Sequence, residues 1–384
     1  MSEVGLVEVN QEWTIEAPGR DEPTVPEALL RRIALDGDET GRPSPGKLAV
    51  LRESGLLGLA VPEEHGGLGG DGQAVNRVVA EVARVNPSLA IILFQHFAVT
   101  SRIVDWGTAS QRRRYLPKLA TGELLAASAW SEKDAGADKR NIATTAEAAP
   151  GGWVVNGSKA FTTGAGIADL YLVLAVTGQP RQDGTVPLYG GAGQSFLLVD
   201  AGLEGVRCAA WTDLVGMRDS ATGSVEFRDC HVPAEALLGP QGCAPLIIAS
   251  VRESGATLGA VSVGIADAVY QLAWEHAAKR GRTAERAVRH RLVDLTVKIE
   301  TARAIVERAG RRDGPDPATA TLFSKLFASD ACEEVCQEVT RMLGSAAFSG
   351  RHPINRWAAD ARAVALMGPT NELCRDLASA GWAA

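Results

Sequence analysis

The chain has 384 residues, of which 46% are hydrophobic and 22% charged, with a formal net charge of −7. That length exceeds what a single core usually fills, so two or three domains are expected. The negative balance argues against a general nucleic-acid or anionic-membrane binder and leaves room for a local basic patch.

Residues 1–26 are polar, proline-containing and aperiodic, and read as an N-terminal arm. The opening MSEVGLVEVNQEW lacks a basic segment followed by an apolar run, so no signal peptide is expected. From Glu27 the pattern turns helical. ALLRRIAL, GKLAVLRESGLLGL and AVNRVVAEVARVNPSLAIILFQHFAVTSRIVDW return apolar residues at three- and four-residue intervals, predicting a helical domain over residues 27–122. No uninterrupted apolar stretch reaches the ~18 residues of a membrane span. His96, in FQHF, reads as a satisfied core histidine.

Around residue 123 the character changes. WVVNGSKAF carries Asn156-Gly157 between β-prone runs, a hairpin signal because both residues tolerate positive φ. LYLVLAV (170–176), SFLLVD (195–200) and GSVEFRDCHVP (223–233) read as short strands. Residues 123–233 are therefore expected to form a small β-barrel or sandwich.

Helices return over residues 234–384. Val288, Leu292, Leu295, Ile299, Ala302 and Val306 draw one apolar stripe along a long helix. ATLGAVSVGIADAVYQLAW and TLFSKLFASDACEEVCQEVTRML behave alike, and Gly259, Ala260 and Gly264 permit close helix approach, so a bundle is expected. The six cysteines, Cys208, Cys230, Cys243, Cys332, Cys336 and Cys374, form no CxxC pair and read as reduced core thiols. That usage fits a cytoplasmic location, and no metal site is expected.

Four segments in this order resemble the acyl-CoA dehydrogenase family: ESGLLGLAVPEEHGGLGG (53–70), WGTASQRRRYLPKLATGELLAASAWSEKDAGAD (106–138), WVVNGSKAFTTGAGIADLYLV (153–173) and LVGMRDSATGSVEFRDCHVPAEALLG (214–239). The resemblance covers roughly residues 45–384 and implies an α+β fold. Its parts are an N-terminal helical domain, a middle β-barrel or sandwich and a C-terminal four-helix bundle, assembled as a homodimer or homotetramer. It also implies a flavin between the β domain and the bundle, with FAD the favoured cofactor and FMN or reduced flavin from a partner left open.

In the family a carboxylate takes the α-proton of an acyl thioester while hydride leaves Cβ. A desolvated carboxylate suits that task because burial raises its pKa toward that of the substrate.

By resemblance, WSEKDAGAD stands where the family has TEPGAGSD. Ser131 then takes the hydroxyl position at the flavin's pyrimidine end, with Trp130 before it. Ala137 replaces a substrate-facing serine. In KAFTTG, Phe161 stands where the family has a flavin-flanking tryptophan, and Thr162 and Thr163 follow, Thr163 reaching N5. Arg218 matches a frequent family arginine, with structural and ligand-contact roles both open. For the cofactor diphosphate, Arg280 and Arg282 fall near a degraded RxxFG segment, and Arg341 and Gly344 near a degraded QxxGGxG motif.

The usual base is missing. In ADARAVALMGPTNELCR the family's aspartate falls on Asp360 and its catalytic glutamate on Gly368. Some members carry the carboxylate on a bundle helix, where ASVRESGATLGA places Ser254 and Gly255, with Glu253 one residue away. Glu253 is the candidate relocated base, against the alternative of an acid placed by a helix dipole. Glu372 reads as a first-turn capping acid.

The expected function is oxidation of an acyl thioester, on CoA or a carrier protein, in a specialised biosynthetic pathway. Electrons would pass to an electron-transfer flavoprotein or O2. A flavin monooxygenase of the same fold and a catalytically silent subunit of a hetero-oligomer remain as alternatives.

Overall fold

In a computed structural model, residues 25–35, 41–137, 139–178, 189–380 and 382 are described. All but the last two residues of the expected arm over 1–26 lie outside them.

Among the described residues, five α-helices come first: α1 (Glu27–Ile33), α2 (Pro45–Glu53), α3 (Gly72–Ala83), α4 (Pro87–Trp106) and α5 (Ala109–Thr121). Asn86 starts α4 by accepting from the Leu89 N–H at 3.1 Å while donating to the Ile33 carbonyl at 2.8 Å, so one side chain caps α4 and ties it to α1. The apolar residues of α4 face inward almost all round, from Leu89 to Ile103, and it serves as the central post of this layer. On α5, Thr108 and Gln111 form a reciprocal capping box. The Gln111 amide also donates to the carbonyls of Glu235 and Leu237, pinning the β layer to the helices.

The middle layer holds β1 (Ala126–Ala129), β2 (Thr145–Ala149), β3 (Gly152–Thr162), β4 (Leu170–Val176), β5 (Gln194–Asp200), β6 (Val206–Ala210), β7 (Gly223–Pro233) and β8 (Leu237–Leu238). They form one sheet in the order β6-β7-β3-β2-β4-β5-β8, with β1 parallel to β4. The run LYLVLAV is apolar throughout because both its faces are covered. Leu170, Leu172 and Leu174 pack toward α4 and α5, while Tyr171, Val173 and Ala175 pack against Val225 and Phe227 of the sheet's own interior.

One expectation fails here. Asn156-Gly157 does not turn a hairpin; it lies inside β3 at a bulge, and the chain reverses instead at Pro150-Gly151. Gly157 has φ +147°, and a Cβ there would stand 2.5 Å from the Thr144 hydroxyl, so close approach rather than a turn requires the glycine.

The C-terminal layer comprises α6 (Ala244–Glu253), α7 (Gly259–Lys279), α8 (Arg286–Arg311), α9 (Pro317–Leu343), α10 (Pro353–Leu366) and α11 (Asn371–Ser379). The stripe predicted for α8 is buried from Leu292 to Val306. Gly259 lets α7 approach α9, whereas Gly264 faces α3, where a Cβ would lie 2.2 Å from the Ala80 carbonyl. The bundle and the N-terminal helices therefore share a single core. At the α6–α7 break, buried Asn76 donates to the Gly255 carbonyl and accepts from the Thr257 N–H, both at 2.9 Å.

Candidate active site

The two segments expected to cradle a ring are brought together by one backbone bond: the Ala160 N–H donates to the Ser131 carbonyl at 2.9 Å. Beneath this junction Glu132 and Lys159 form a buried ion pair at 2.8 Å, with the carboxylate also accepting from the N–H groups of Ala143 and Thr144 and from the Thr144 hydroxyl. Burial pushes the Glu132 carboxyl up, but the Lys159 ammonium and these donors hold it below its ordinary value. Burial also pulls Lys159 down to about 8, against the pull of Glu132. The Ser131 hydroxyl accepts from Lys139 at 2.7 Å, and Lys139 donates as well to the Gly136 carbonyl. Ala137 lies half-buried in the same loop.

Two polar atoms at this junction, Trp130 Nε1 and Thr162 Oγ1, are buried without a hydrogen-bond partner among the described residues. The Trp130 ring leans on Phe196, with centroids 4.8 Å apart. Phe161 is 61% exposed with φ +55°, an unfavourable backbone for a bulky residue, and stands edge-on to Trp211.

Thr163 is buried, and its hydroxyl is 3.1 Å from that of Thr222, which is 2.7 Å from that of Ser220. This hydroxyl chain ends where the β layer meets the helices. The Met217 N–H donates to the Asp360 carboxylate of α10 at 2.5 Å, the Asp219 N–H donates to the Ser88 hydroxyl of α4, and Arg356 reaches Asp219 at 3.2 Å. Arg218 is exposed between these two anchored neighbours.

At the C-terminal turn, α10 ends at Leu366 with Met367 as its C-cap, and α11 begins after its cap Thr370. Gly368 is exposed, and among the described residues a Cβ placed on it would meet only the Tyr189 hydroxyl, at 3.7 Å. Beneath the turn, Lys325 of α9 donates to three carbonyls: Ala365 at 3.2 Å, Met367 at 3.1 Å and Pro369 at 2.6 Å.

Glu253 lies exposed on the last turn of α6, so the chain's own atoms do not supply the desolvation that a relocated base needs. It occupies the C-terminal end of that helix, where the dipole does not favour an acid, so the helix-dipole alternative fails as well. Glu372 sits in the first turn of α11 and pairs with Arg375, as a capping-turn acid should. Arg280 and Arg282 are exposed at the end of α7, Arg282 already paired with Glu285 through two bonds of 2.9 Å. With His352 they lower the pKa of His276, after burial the next cause, which marks a cationic cluster at this end of the bundle. Arg341 is exposed and bonded to Glu338, and Gly344 ends α9 with φ +64°. No described contact brings these four residues to Ser131 or Thr163.

His96 is fully buried. Its Nδ1 accepts from the Ala126 N–H, which leaves Nε2 to donate to the Leu57 carbonyl, both at 3.2 Å. Burial holds it neutral, with its pKa lowered to about 4. Reading the sequence missed Glu132, Lys139, Tyr189 and Lys325. Lys325 alone left a signal, as a lysine flanked by core positions of an apolar helix stripe.

Three models match in succession: acyl-CoA dehydrogenase, N-terminal domain, over residues 26–123; middle domain, over 127–230; and C-terminal domain, over 245–382. A Mycobacterium tuberculosis protein named "Probable acyl-CoA dehydrogenase FadE25" is 30% identical across 89% of this chain and 88% of its own. The chain belongs to the acyl-CoA dehydrogenase family. Among solved structures, butyryl-CoA dehydrogenase from Megasphaera elsdenii aligns with a TM-score of 0.83 and 26% identity over 90% of this chain and 92% of that one. A chain solved with the electron transferring flavoprotein of Acidaminococcus fermentans as its subject aligns with a TM-score of 0.84 and 26% identity, covering 92% and 95%. As an acyl-CoA dehydrogenase family member, the chain is an oxidoreductase of a family whose named relatives are acyl-CoA dehydrogenases.

Proposed function

We propose that this chain uses FAD to oxidise an acyl thioester, carried on CoA or on a carrier protein, in a specialised biosynthetic route. The observation that carries this reading is the junction made by the Ala160–Ser131 bond, where Phe161 stands exposed in a strained backbone beside two orphaned buried polar atoms. Unpartnered buried polar atoms are what a polar, planar ring would satisfy, and a backbone held in strain is found where a ligand site is pre-organised. Ser131, Trp130, Phe161, Thr162 and Thr163 would hold the flavin ring. Arg280, Arg282, Arg341 and Gly344, contributed by a second copy in a homodimer or homotetramer, would meet its diphosphate. When bound, the flavin supplies a two-electron acceptor, and an electron-transferring flavoprotein is the proposed onward partner.

The protein's own part is to bind the thioester, exclude water and place its α-carbon. Gly368 takes the position of the family's carboxylate, so α-proton removal falls to a group other than residue 368. Exposed Glu253 fits that task only if bound substrate covers it. The absence of a side chain at Gly368 favours one second reading, flavin monooxygenation, which needs no α-proton base.

The test is the visible spectrum of the purified protein, anaerobically, with butyryl-CoA and with a butyryl carrier protein. A flavin band that bleaches with either is expected. A colourless protein, or a yellow one that consumes O2 only with a reductase present, would overturn the reading.

A further inference from the structure

Lys325 is 3% exposed, yet its ammonium reaches across from α9 to the turn between α10 and α11. Asn371 ties the start of α11 to Ser329 and Asp330, and the Cys374 thiol donates to the Pro369 carbonyl at 3.7 Å, but the stretch before them has few holds of its own. The last carbonyls of α10 have no partner within the helix, Pro369 has no N–H, and Gly368 has no side chain. An ammonium carries three donors, and the carbonyls of Ala365, Met367 and Pro369 use all of them. We propose that Lys325 is a positioning residue of the thioester site, its ammonium clamping the 365–369 turn so that Gly368 stays opposed to the Tyr189 hydroxyl. This inference rests on the function proposed above.

The clamp is sensitive to pH. Burial pulls Lys325 down to about 8; Cys374 and Asp330 oppose that fall and Arg375 adds to it. Asp330 is itself bonded to Asn371 and Arg375, so its charge is shared. A neutral amine keeps only two donors and turns a lone pair toward the third carbonyl. In alkaline solution one of the three bonds is lost.

Hydrogen exchange of the Leu366 and Met367 amides, at the α10 end of the turn, tests this on the flavin-loaded protein, with rates normalised to intrinsic exchange. In the wild type, protection should fall about tenfold between pH 7 and pH 9.5, the equivalent of one hydrogen bond. Lys325→Arg should remain protected at both values and Lys325→Met at neither. With whichever thioester bleaches the flavin, kcat should fall above pH 8 in the wild type and stay level in Lys325→Arg, while KM changes little. A wild-type turn indifferent to pH, or a Lys325→Met turn as protected as the wild type, overturns the proposal without recourse to any variant's activity. If the exchange pattern holds but no thioester bleaches the flavin, the function proposed above fails, and the assignment of the clamp to a thioester site fails with it.

Discussion

Around Ser131 the chain buries two lysine ammoniums and a carboxylate, from one loop and the adjoining strand β3, and the Glu132 carboxylate there accepts four hydrogen bonds. Around Gly368 it buries one ammonium, spends that charge on carbonyls, and leaves the charged groups that face it, Asp330 and Arg375, exposed. In the first region each buried charge is met by a partner within the chain. The second is built on backbone carbonyls, with the Tyr189 hydroxyl beside it.

Breaking the loop's ion pair should have the largest effect. Lys159→Met leaves Glu132 buried without its cation and should cost about 3–5 kcal/mol of stability in denaturant melts. The double variant with Glu132→Gln should recover part of that loss. A cost below about 1 kcal/mol, the worth of an exposed pair, would erase the contrast between the two regions.

Acid comes next. His96 is neutral in the fold, so between pH 6.5 and 4 the unfolded chain takes a proton that the native ring refuses. Stability present above pH 6.5 should decline by roughly 3 kcal/mol as pH falls to about 4, and melts at pH 7 and pH 4.5 with His96→Gln as control measure it. If the control shows the same acid loss, His96 is not its source.

Ser131→Ala removes one hydroxyl from the cradle and should weaken flavin binding by up to about tenfold in equilibrium titration of apoprotein, with the melting temperature nearly unchanged. The smallest effect is expected at exposed Glu253. Glu253→Gln should leave thioester bleaching within about twofold, and a much slower rate would return the carboxylate to the active site as the relocated base.

Much of the architecture was legible beforehand. Periodicity marked the α8 stripe, and LYLVLAV and GSVEFRDCHVP became β4 and β7 with the expected limits. The Asn156-Gly157 signal misled because its cause was a neighbour, Thr144, rather than a local turn. The partners of Lys325 and Tyr189 lie some 40 and 180 residues away in the chain, so the lysine's place in an apolar stripe was the one trace either left, for the same reason.

The amino-acid order alone determined which stretches are helices and strands, since these follow from spacing and residue type within short windows. Only the tertiary structure decided that Glu253 faces water, that Lys325 holds the Gly368 turn and that His96 stays neutral. Solvation and hydrogen-bond partnership are set by residues that the fold, not the sequence, makes neighbours.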